Sequence, residues 1–218
     1  ELRCKVFGEG GNLGMTQAGR VEFALAGGGV NTDFIDNAAG VDCSDHEVNL
    51  KILLNHLVAD GDMTVKQRNQ LLVETTGDIA ALVLTNNFRQ AQALSIAQRH
   101  VRVRVTEYQR FMSRMEADQH LDRKLEGLPT DETVAERVGR GQSLVRPELA
   151  VLLSYAKIHL KERLIASTIH EDPVVAEALF EEFPPIVQAR YAAAARKHRL
   201  FREIVATIVA NDVGGVAR

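Results

Sequence analysis

The chain has 218 residues, of which 45% are apolar and 25% are charged, and its 26 basic and 29 acidic side chains give a formal net charge of −3. This length and apolar content can bury a sizeable core in one large or two small domains, which excludes a wholly disordered protein. A pI near 6.2 argues against a broadly basic nucleic-acid binder or a polybasic membrane-surface protein. Cys4 and Cys43 are too few to staple a fold of this size, and the sequence has no leader-like start or long apolar run. We therefore expect a reducing, cytoplasmic setting and no membrane partner.

The first sixty residues have the pattern of a small α/β unit. Residues 3–7 form a short run that ends in a glycine-rich segment, 8–14, which predicts a strand leading into a tight loop. A helix is predicted over 16–26 and ends at three consecutive glycines. A second short strand over 30–35, a polar loop over 36–43 and a helix beginning near Ser44 complete the unit.

After Gly61 the sequence predicts successive helices and no strand, because no segment alternates with period two. Thr64 and Gln67 have the spacing of a capping box, and Thr130 and Pro147 mark two later helix starts. The predicted helices cover 71–85, 88–115, 118–126, a short segment from 130, 149–166, a segment from 173, and two segments up to about 213. The expected fold is mainly α, with an α/β part over 1–61 and a helical domain over 62–218.

The glycine-rich segment is the first candidate site. A strand, closely spaced glycines and a helix are typical of dinucleotide sites, where the missing Cβ lets the backbone approach a cofactor. Gly8 and Gly10 supply G-x-G, but the third glycine of the fingerprint would fall at Leu13. The residue types alone leave two interpretations open, a structural turn and a ligand-contacting loop.

Ser44 is the second candidate. With Glu47 three residues later it has the spacing of a capping box, in which each side chain satisfies a free N–H of the first turn. A serine hydroxyl at a helix N-terminus also suits a carboxylate ligand, because free N–H groups and the helix dipole favour negative charge. The two interpretations are compatible.

Metal binding and nucleic-acid binding are weakly supported. Cys43, His46, an aspartate beside them and the distant Cys4 make a poor zinc pattern, since structural zinc needs four ligands and commonly paired spacings. We expect no metal site.

The basic residues within 99–104 alternate with valines on a long helix, which favours a solvated face over a nucleic-acid contact. Three histidines are isolated in sequence and are interpreted as surface or capping residues: His159, His170 and His198.

Four segments carry a resemblance to a known family. EGGNLGMT at 9–16, IDNAAGVDCSDHEVN at 35–49, RPELAVLLSYAK at 146–157 and HRLFREIVATIVAN at 198–211 are similar to segments of the large bacterial NAD-specific glutamate dehydrogenases. The resemblance spans essentially the whole chain. It implies that residues 1–61 are the terminal part of a Rossmann-like, dinucleotide-binding domain and that residues 62–218 are a helical extension.

The resemblance also implies roles for particular residues. NAD would be the cofactor, L-glutamate or 2-oxoglutarate the substrate, and Ser44 the residue that hydrogen-bonds the side-chain carboxylate of the substrate. The implied cofactor-binding residues are Glu9, Gly10 and Asn12, and the implied substrate-binding residues are Asn37, Val41 and Ser44. Gly11 and Ala39 depart from the family pattern, as does the Leu-Gly-Met step at 13–15.

The family's catalytic lysine and aspartate and its G-x-G-x-x-G loop would belong to an earlier domain, so we expect no catalytic residue in this chain. The resemblance thus implies a C-terminal fragment that is inactive alone and that forms a homo-oligomer as part of the complete enzyme. The alternative is that the helices over 63–218 are an interaction or oligomerisation module without catalytic activity, because their apolar stripes must be buried somewhere.

Overall fold

The computed structural model describes residues 2–214, and it begins with a parallel β-α-β unit. Strand β1 (Val6–Phe7) pairs with β2 (Gly29–Val30), and helix α1 (Gln17–Leu25) connects them. Thr16 caps α1 by accepting the N–H of Gly19. Gly27, with φ of +93°, turns the chain after the helix in a conformation that glycine adopts without strain. The predicted first strand and first helix are confirmed, although the strand is shorter than predicted.

The segment after β2 differs from the prediction. The second strand ends at Val30, and helix α2 (Asp33–Asp36) occupies the rest of the predicted range. The predicted loop over 36–43 is wrong, because helix α3 (Ala38–Ala59) covers it. Helix α3 begins six residues before Ser44, so Ser44 and Glu47 do not form a capping box at its start. Two alanines in the first turn favour helix strongly enough to tolerate the glycine that follows them.

The helices after Gly61 follow most of the predicted starts. Thr64 and Gln67 form the predicted capping box at the start of α4 (Val65–Glu74). A single break at Thr75 separates α4 from α5 (Thr76–Ala117), a 42-residue helix that bends where Arg104 leaves the helical region. Apart from this break, residues 71–85 and 88–115 are helical, as predicted, but they do not form two separate helices. They belong to the end of α4 and to the continuous helix α5.

The helix predicted over 118–126 is wrong. The chain turns sharply at Gln119, with φ of +59°, and continues through turns to Gly127. Leu121 and Leu128 on this segment are buried in the core, and this burial fixes an irregular path in place of a helix. The next helices are α6 (Asp131–Gly139), capped by Thr130, and α7 (Arg146–Ala166).

The last part of the chain consists of short helical segments followed by two longer helices. A 3₁₀ turn (Ile169–Glu171), α8 (Pro173–Ala176) and a second 3₁₀ segment (Glu177–Glu182) lead into α9 (Pro185–Ala195), and α10 (Phe201–Gly214) follows. The predicted starts at Pro173 and after Pro184 are confirmed. The protein is mainly α, as predicted.

Two buried clusters hold these helices together. The first joins α5, α6, α7 and the turns between α5 and α6, with Leu94 and Met112 fully buried. The second joins α3 and α4 to the segments from 179 onward, with Leu54 and Leu179 fully buried. The second cluster takes residues from both sides of position 61. Over the described residues, none of the helices combines the length and apolar character that crossing a membrane requires.

Candidate functional site

The glycine-rich loop, residues 8–16, follows the carboxyl end of β1 and is anchored by Glu9. The Glu9 side chain is fully buried and its two oxygens bind the Arg20 guanidinium, at 2.6 Å from Oε2 to Nε and 2.9 Å from Oε1 to Nη2. The backbone N–H of Met15 also donates to Oε1, at 2.8 Å. The hydrogen bonds from Arg20 hold the pKa of Glu9 below its ordinary value, even though burial opposes this shift.

Three residues of the next segment close the base of this loop. Asp36 accepts the N–H of Glu9 at 2.9 Å, and Asp33 accepts the N–H of Leu13 at 3.0 Å. The amide of Asn37 donates to the backbone carbonyls of Glu9, at 2.7 Å, and of Asp33, at 3.0 Å. Asn37 therefore ties the loop to the start of α3, so the structure brings Asn37 and Glu9 together.

The outer face of the loop is open. Gly10, Gly11 and Asn12 are exposed, neither glycine has a positive φ, and a Cβ at either glycine would meet nothing within 4 Å. Leu13 is 81% exposed and has a φ of +60°, a conformation that costs a leucine about 1–3 kcal/mol. Over the described residues, no contact or backbone conformation requires glycine at positions 10 and 11, and this side of the loop is open to an approaching ligand.

Arg146, at the start of α7, reaches the same region from far along the chain. Its Nε donates to Asn31 Oδ1, just after β2, and its other nitrogens donate to Ala91 O and Ser95 Oγ, each at 3.0 Å. Asn31 in turn donates to Asp36 at 2.7 Å. Sequence analysis did not connect Arg146 to the loop, because no local pattern links residues 115 positions apart.

The predicted substrate residues form one strip on α3. Asn37, Val41 and Ser44 follow the spacing i, i+4 and i+7, which places them on one face of a helix. Val41 is 68% exposed and Ser44 is exposed. The Ser44 hydroxyl donates to Gly40 O at 3.1 Å within the helix, so its lone pairs remain open to solvent.

The opposite side of α3 carries His46, which is 4% exposed. Its Nδ1 lies 3.1 Å from Glu182 O and 3.2 Å from Glu182 Oε1, and its Nε2 lies 3.4 Å from Asn86 and 3.7 Å from Asp42. Burial lowers the pKa of His46, but the bond to Glu182 and the two carboxylates outweigh burial and raise the pKa above its ordinary value. Burial also raises the pKa of Asp42.

Within the range that the structure describes, the members of the poor zinc pattern do not come together. Cys4 and Cys43 are free and exposed, and the ring nitrogens of His46 already face Glu182, Asp42 and Asn86. Over the described residues, Cys43 and His46 do not belong to a group with metal-ligand spacing. The pairing of His46 with Glu182 was not predicted, because the two residues lie 136 positions apart.

Two known sequence families match this chain, one over its first part and one over its last part. Residues 1–97 match the family described as "Bacterial NAD-glutamate dehydrogenase, catalytic domain", and residues 141–215 match "Glutamate dehydrogenase, C-terminal". The chain belongs to the bacterial NAD-glutamate dehydrogenases. The resemblance drawn from the four sequence segments is thereby confirmed.

Curated relatives agree with this assignment. The chain is 59% identical to an NAD-specific glutamate dehydrogenase of Pseudomonas aeruginosa, 53% identical to one of Halomonas elongata and 41% identical to one of Mycobacterium tuberculosis, each over 213 residues. These alignments cover 98% of this chain but 13% of each relative. The chain therefore corresponds to a small part of the length of these glutamate dehydrogenases.

The two family matches meet in the structure. The glycine loop and α3 lie in the range that matches the catalytic domain, whereas Arg146 and Glu182 lie in the C-terminal range. Arg146 binds Asn31 beside the loop, and Glu182 binds His46 on α3. In this glutamate dehydrogenase segment, residues of the C-terminal range thus hold the elements that carry the predicted site.

Proposed function

We propose that the complete protein containing this chain is an NAD-dependent glutamate dehydrogenase, which oxidatively deaminates L-glutamate to 2-oxoglutarate and ammonia. The family match over residues 1–97 and the identity to relatives named NAD-specific glutamate dehydrogenase carry this proposal. The chain spans 13% of the length of those relatives. It contributes part of the binding site and no catalytic residue, and it is inactive by itself.

Residues 1–61 are proposed to be the terminal part of a Rossmann-like domain, and residues 62–218 a helical extension. The parallel pairing of β1 and β2 through a connecting helix supports this proposal, because parallel strands joined in this way build such domains. In open parallel sheets, ligands bind outside the carboxyl ends of the strands. The glycine loop lies at that end of β1, and Asn31 lies at that end of β2.

The residues of the glycine loop are proposed to have two different roles in NAD binding. Gly10 and Asn12 are exposed on its outer face, so we infer that they contact the cofactor directly, Gly10 through its backbone and Asn12 through its amide. Glu9 points inward, with both oxygens bound to Arg20, so we infer that it acts as a positioning residue for the loop. When bound, NAD would supply the hydride acceptor, and Gly10 and Asn12 would only bind and orient it.

Asn37, Val41 and Ser44 are proposed to line the substrate side of the same cleft. Their strip starts where Asn37 holds the glycine loop, which supports a substrate position next to the cofactor. The Ser44 hydroxyl rotates from Gly40 O to donate to the side-chain carboxylate of glutamate. Val41 supplies an apolar wall.

Replacing Ser44 by Ala in the complete enzyme tests this role. The serine hydroxyl is exposed and bonds within its own helix, so its loss changes the free energy of unfolding by less than about 0.5 kcal/mol. A hydrogen bond to a charged group contributes about 1.5–3 kcal/mol, so kcat/KM for glutamate should fall at least about tenfold while the KM for NAD stays unchanged.

Thr207→Ala is the matched control, because the Thr207 hydroxyl makes the same kind of bond to Glu203 O on α10. Thr207→Ala should change neither kcat/KM for glutamate nor the KM for NAD. Equal loss of glutamate and NAD affinity in Ser44→Ala, or loss of neither, would count against the proposed role. Glutamate-dependent NADH formation by the purified 218-residue chain would contradict the proposal that the chain is inactive alone.

A second proposed role is assembly into a cytoplasmic homo-oligomer through the helices. Large apolar side chains are exposed on α3 and α5, which is a common mark of surfaces that contact another polypeptide. They are Val48 (52% exposed), Leu84 (71%), Phe88 (67%) and Val103 (83%). Light scattering should show the chain forming a dimer or larger assembly, and a monomer at high concentration would refute self-assembly through this region.

A further inference from the structure

Two histidines and a glutamate that are distant in sequence meet where α5 ends against α7. His120 follows α5, whereas His159 and Glu162 lie on α7. One potential ligand atom from each lies within 4.8 Å of the other two, and the two imidazole rings are 5.1 Å apart at their centroids, tilted by 60°. Two imidazoles and a carboxylate make a donor set that divalent transition metals bind.

The backbone holds His120 firmly in this position. The N–H of His120 bonds to Met115 O at 2.9 Å, and the N–H of Gln119 bonds to Glu116 O at 3.0 Å. These two bonds, with Gln119 in the left-handed region at φ +59°, form a Schellman motif that ends α5. The motif commonly has glycine at the position of Gln119, so the chain accepts strain at the residue that presents His120.

Helix α7 supplies the other two side chains from one face. His159 and Glu162 are three residues apart, which makes them neighbours on a helix surface. The start of α7 is fixed in the first core cluster, where Leu149 and Leu152 are buried. Helix α7 and the turn after α5 therefore form a preorganised pair of supports.

Over residues 2–214, no protein group competes for these three side chains. Within the part of the chain that the structure describes, the side chains of His120, His159 and Glu162 form no hydrogen bond or ion pair, and the Nδ1 atom of His159 is buried without a partner. A buried polar atom without a partner destabilises a fold, so its presence calls for an explanation. The C-terminal end of α5 also carries the negative end of its dipole, which favours a cation.

We propose that His120, His159 and Glu162 form a divalent-metal site that binds Zn²⁺ and ties the end of α5 to α7. Zinc takes imidazole nitrogen and carboxylate oxygen as ligands, and three protein ligands leave a fourth position for water. Magnesium and calcium prefer sites made only of oxygen, so they should not compete. His120 lies outside both family matches and His159 lies in the C-terminal one, so the metal fastens the connecting segment to the C-terminal part.

Titration of the 218-residue chain with Zn²⁺, followed by calorimetry, tests this proposal. We expect one saturable site, and Mg²⁺ or Ca²⁺ in excess should leave the zinc affinity unchanged. A free Zn²⁺ concentration of about 100 times Kd should raise the Tm by about 5–10 °C. Cobalt in place of zinc should give the visible absorption of a ligand-bound ion.

The variants His120→Ala and His159→Gln remove one ligand each, and both should weaken Zn²⁺ binding by more than about tenfold. His120 is exposed and His159→Gln keeps a side chain of similar size, so circular dichroism should show that both variants fold. His100→Ala is the matched control, because His100 is an exposed histidine of α5 away from the cluster. Absence of a saturable site in the parent chain overturns the proposal. Binding that survives both ligand variants, or that falls equally in His100→Ala, also overturns it.

Discussion

Replacing Arg20 by Met tests how the glycine loop is held. The change keeps an unbranched apolar stem and removes the guanidinium, so the fully buried carboxylate of Glu9 is left with the N–H of Met15. Removing one partner of a buried ion pair typically costs about 3–5 kcal/mol. Protonation of Glu9 limits this cost, because a carboxyl group with its ordinary pKa of 4.5 takes up a proton at pH 7 for about 3.4 kcal/mol. We expect Arg20→Met to lower the free energy of unfolding by about 3 kcal/mol at pH 7.

The cost of protonating Glu9 also determines how the destabilisation by Arg20→Met depends on pH. At pH 5.5 the cost of protonating Glu9 falls to about 1.4 kcal/mol, so the destabilisation by Arg20→Met should shrink to roughly half its value at pH 7. In the parent chain the pKa of Glu9 is depressed. The stabilisation from the pair is therefore present above the ordinary pKa of 4.5 and is lost as the pH falls through the lower, folded-state value.

Urea unfolding of the 218-residue chain, followed by circular dichroism at both pH values, measures these quantities. The double variant Glu9→Gln/Arg20→Met should be less destabilised than the sum of the single variants, by at least about 1 kcal/mol. A loss below about 1 kcal/mol for Arg20→Met, or a loss that is the same at both pH values, would refute the idea that this ion pair holds the loop.

Two further changes test the turn after α5 and the buried histidine. Gln119→Gly should raise the free energy of unfolding by about 1 kcal/mol in urea titrations, because glycine adopts the φ of +59° without strain, and a lower value would contradict this. The raised pKa of His46 means that its bond to Glu182 stabilises the fold fully below pH 6.5, and that this contribution is lost as the pH rises through the higher, folded-state pKa. The Tm of the parent chain should therefore fall from pH 6 to pH 8.5 by more than that of His46→Asn, and parallel profiles would exclude His46 as the titrating group.

Local signals predicted most of the helices but misplaced one that matters for the site. Thr16, Thr64 and Thr130 were found because a side-chain cap lies within three residues of the N–H that it accepts. Ser44 has the same local signal, yet it lies inside α3. The true start at Asn37 has no side-chain cap bond; the amide nitrogen of Asn37 instead donates to Glu9 O and Asp33 O. A helix start that is set by tertiary contacts leaves no cap pattern in the sequence.

The turn at 118–128 was missed for a related reason. Its residues have no strong helix breaker before Gly127, so local propensity favours a helix. The observed path instead buries Leu121 and Leu128 in the same cluster and accepts a left-handed glutamine. His159 is isolated in sequence, and the turn at 118–128 is what brings His120 next to it.

Helix α3 connects the proposed binding residues to the long helical region that follows it. One face of α3 carries the strip, in which Val41 and Ser44 are exposed, and the other face carries His46 and Leu54, which are buried. His46 is held by Glu182, and Leu54 belongs to the cluster that includes residues 179–205. Glu182 and the second buried cluster therefore hold the helix that carries the strip. A shift of about 1 Å in a positioned group can cost about a hundredfold in rate. Under the proposed function, substitutions at Glu182 should therefore lower kcat of the complete protein through α3, although Glu182 is not among the proposed binding residues.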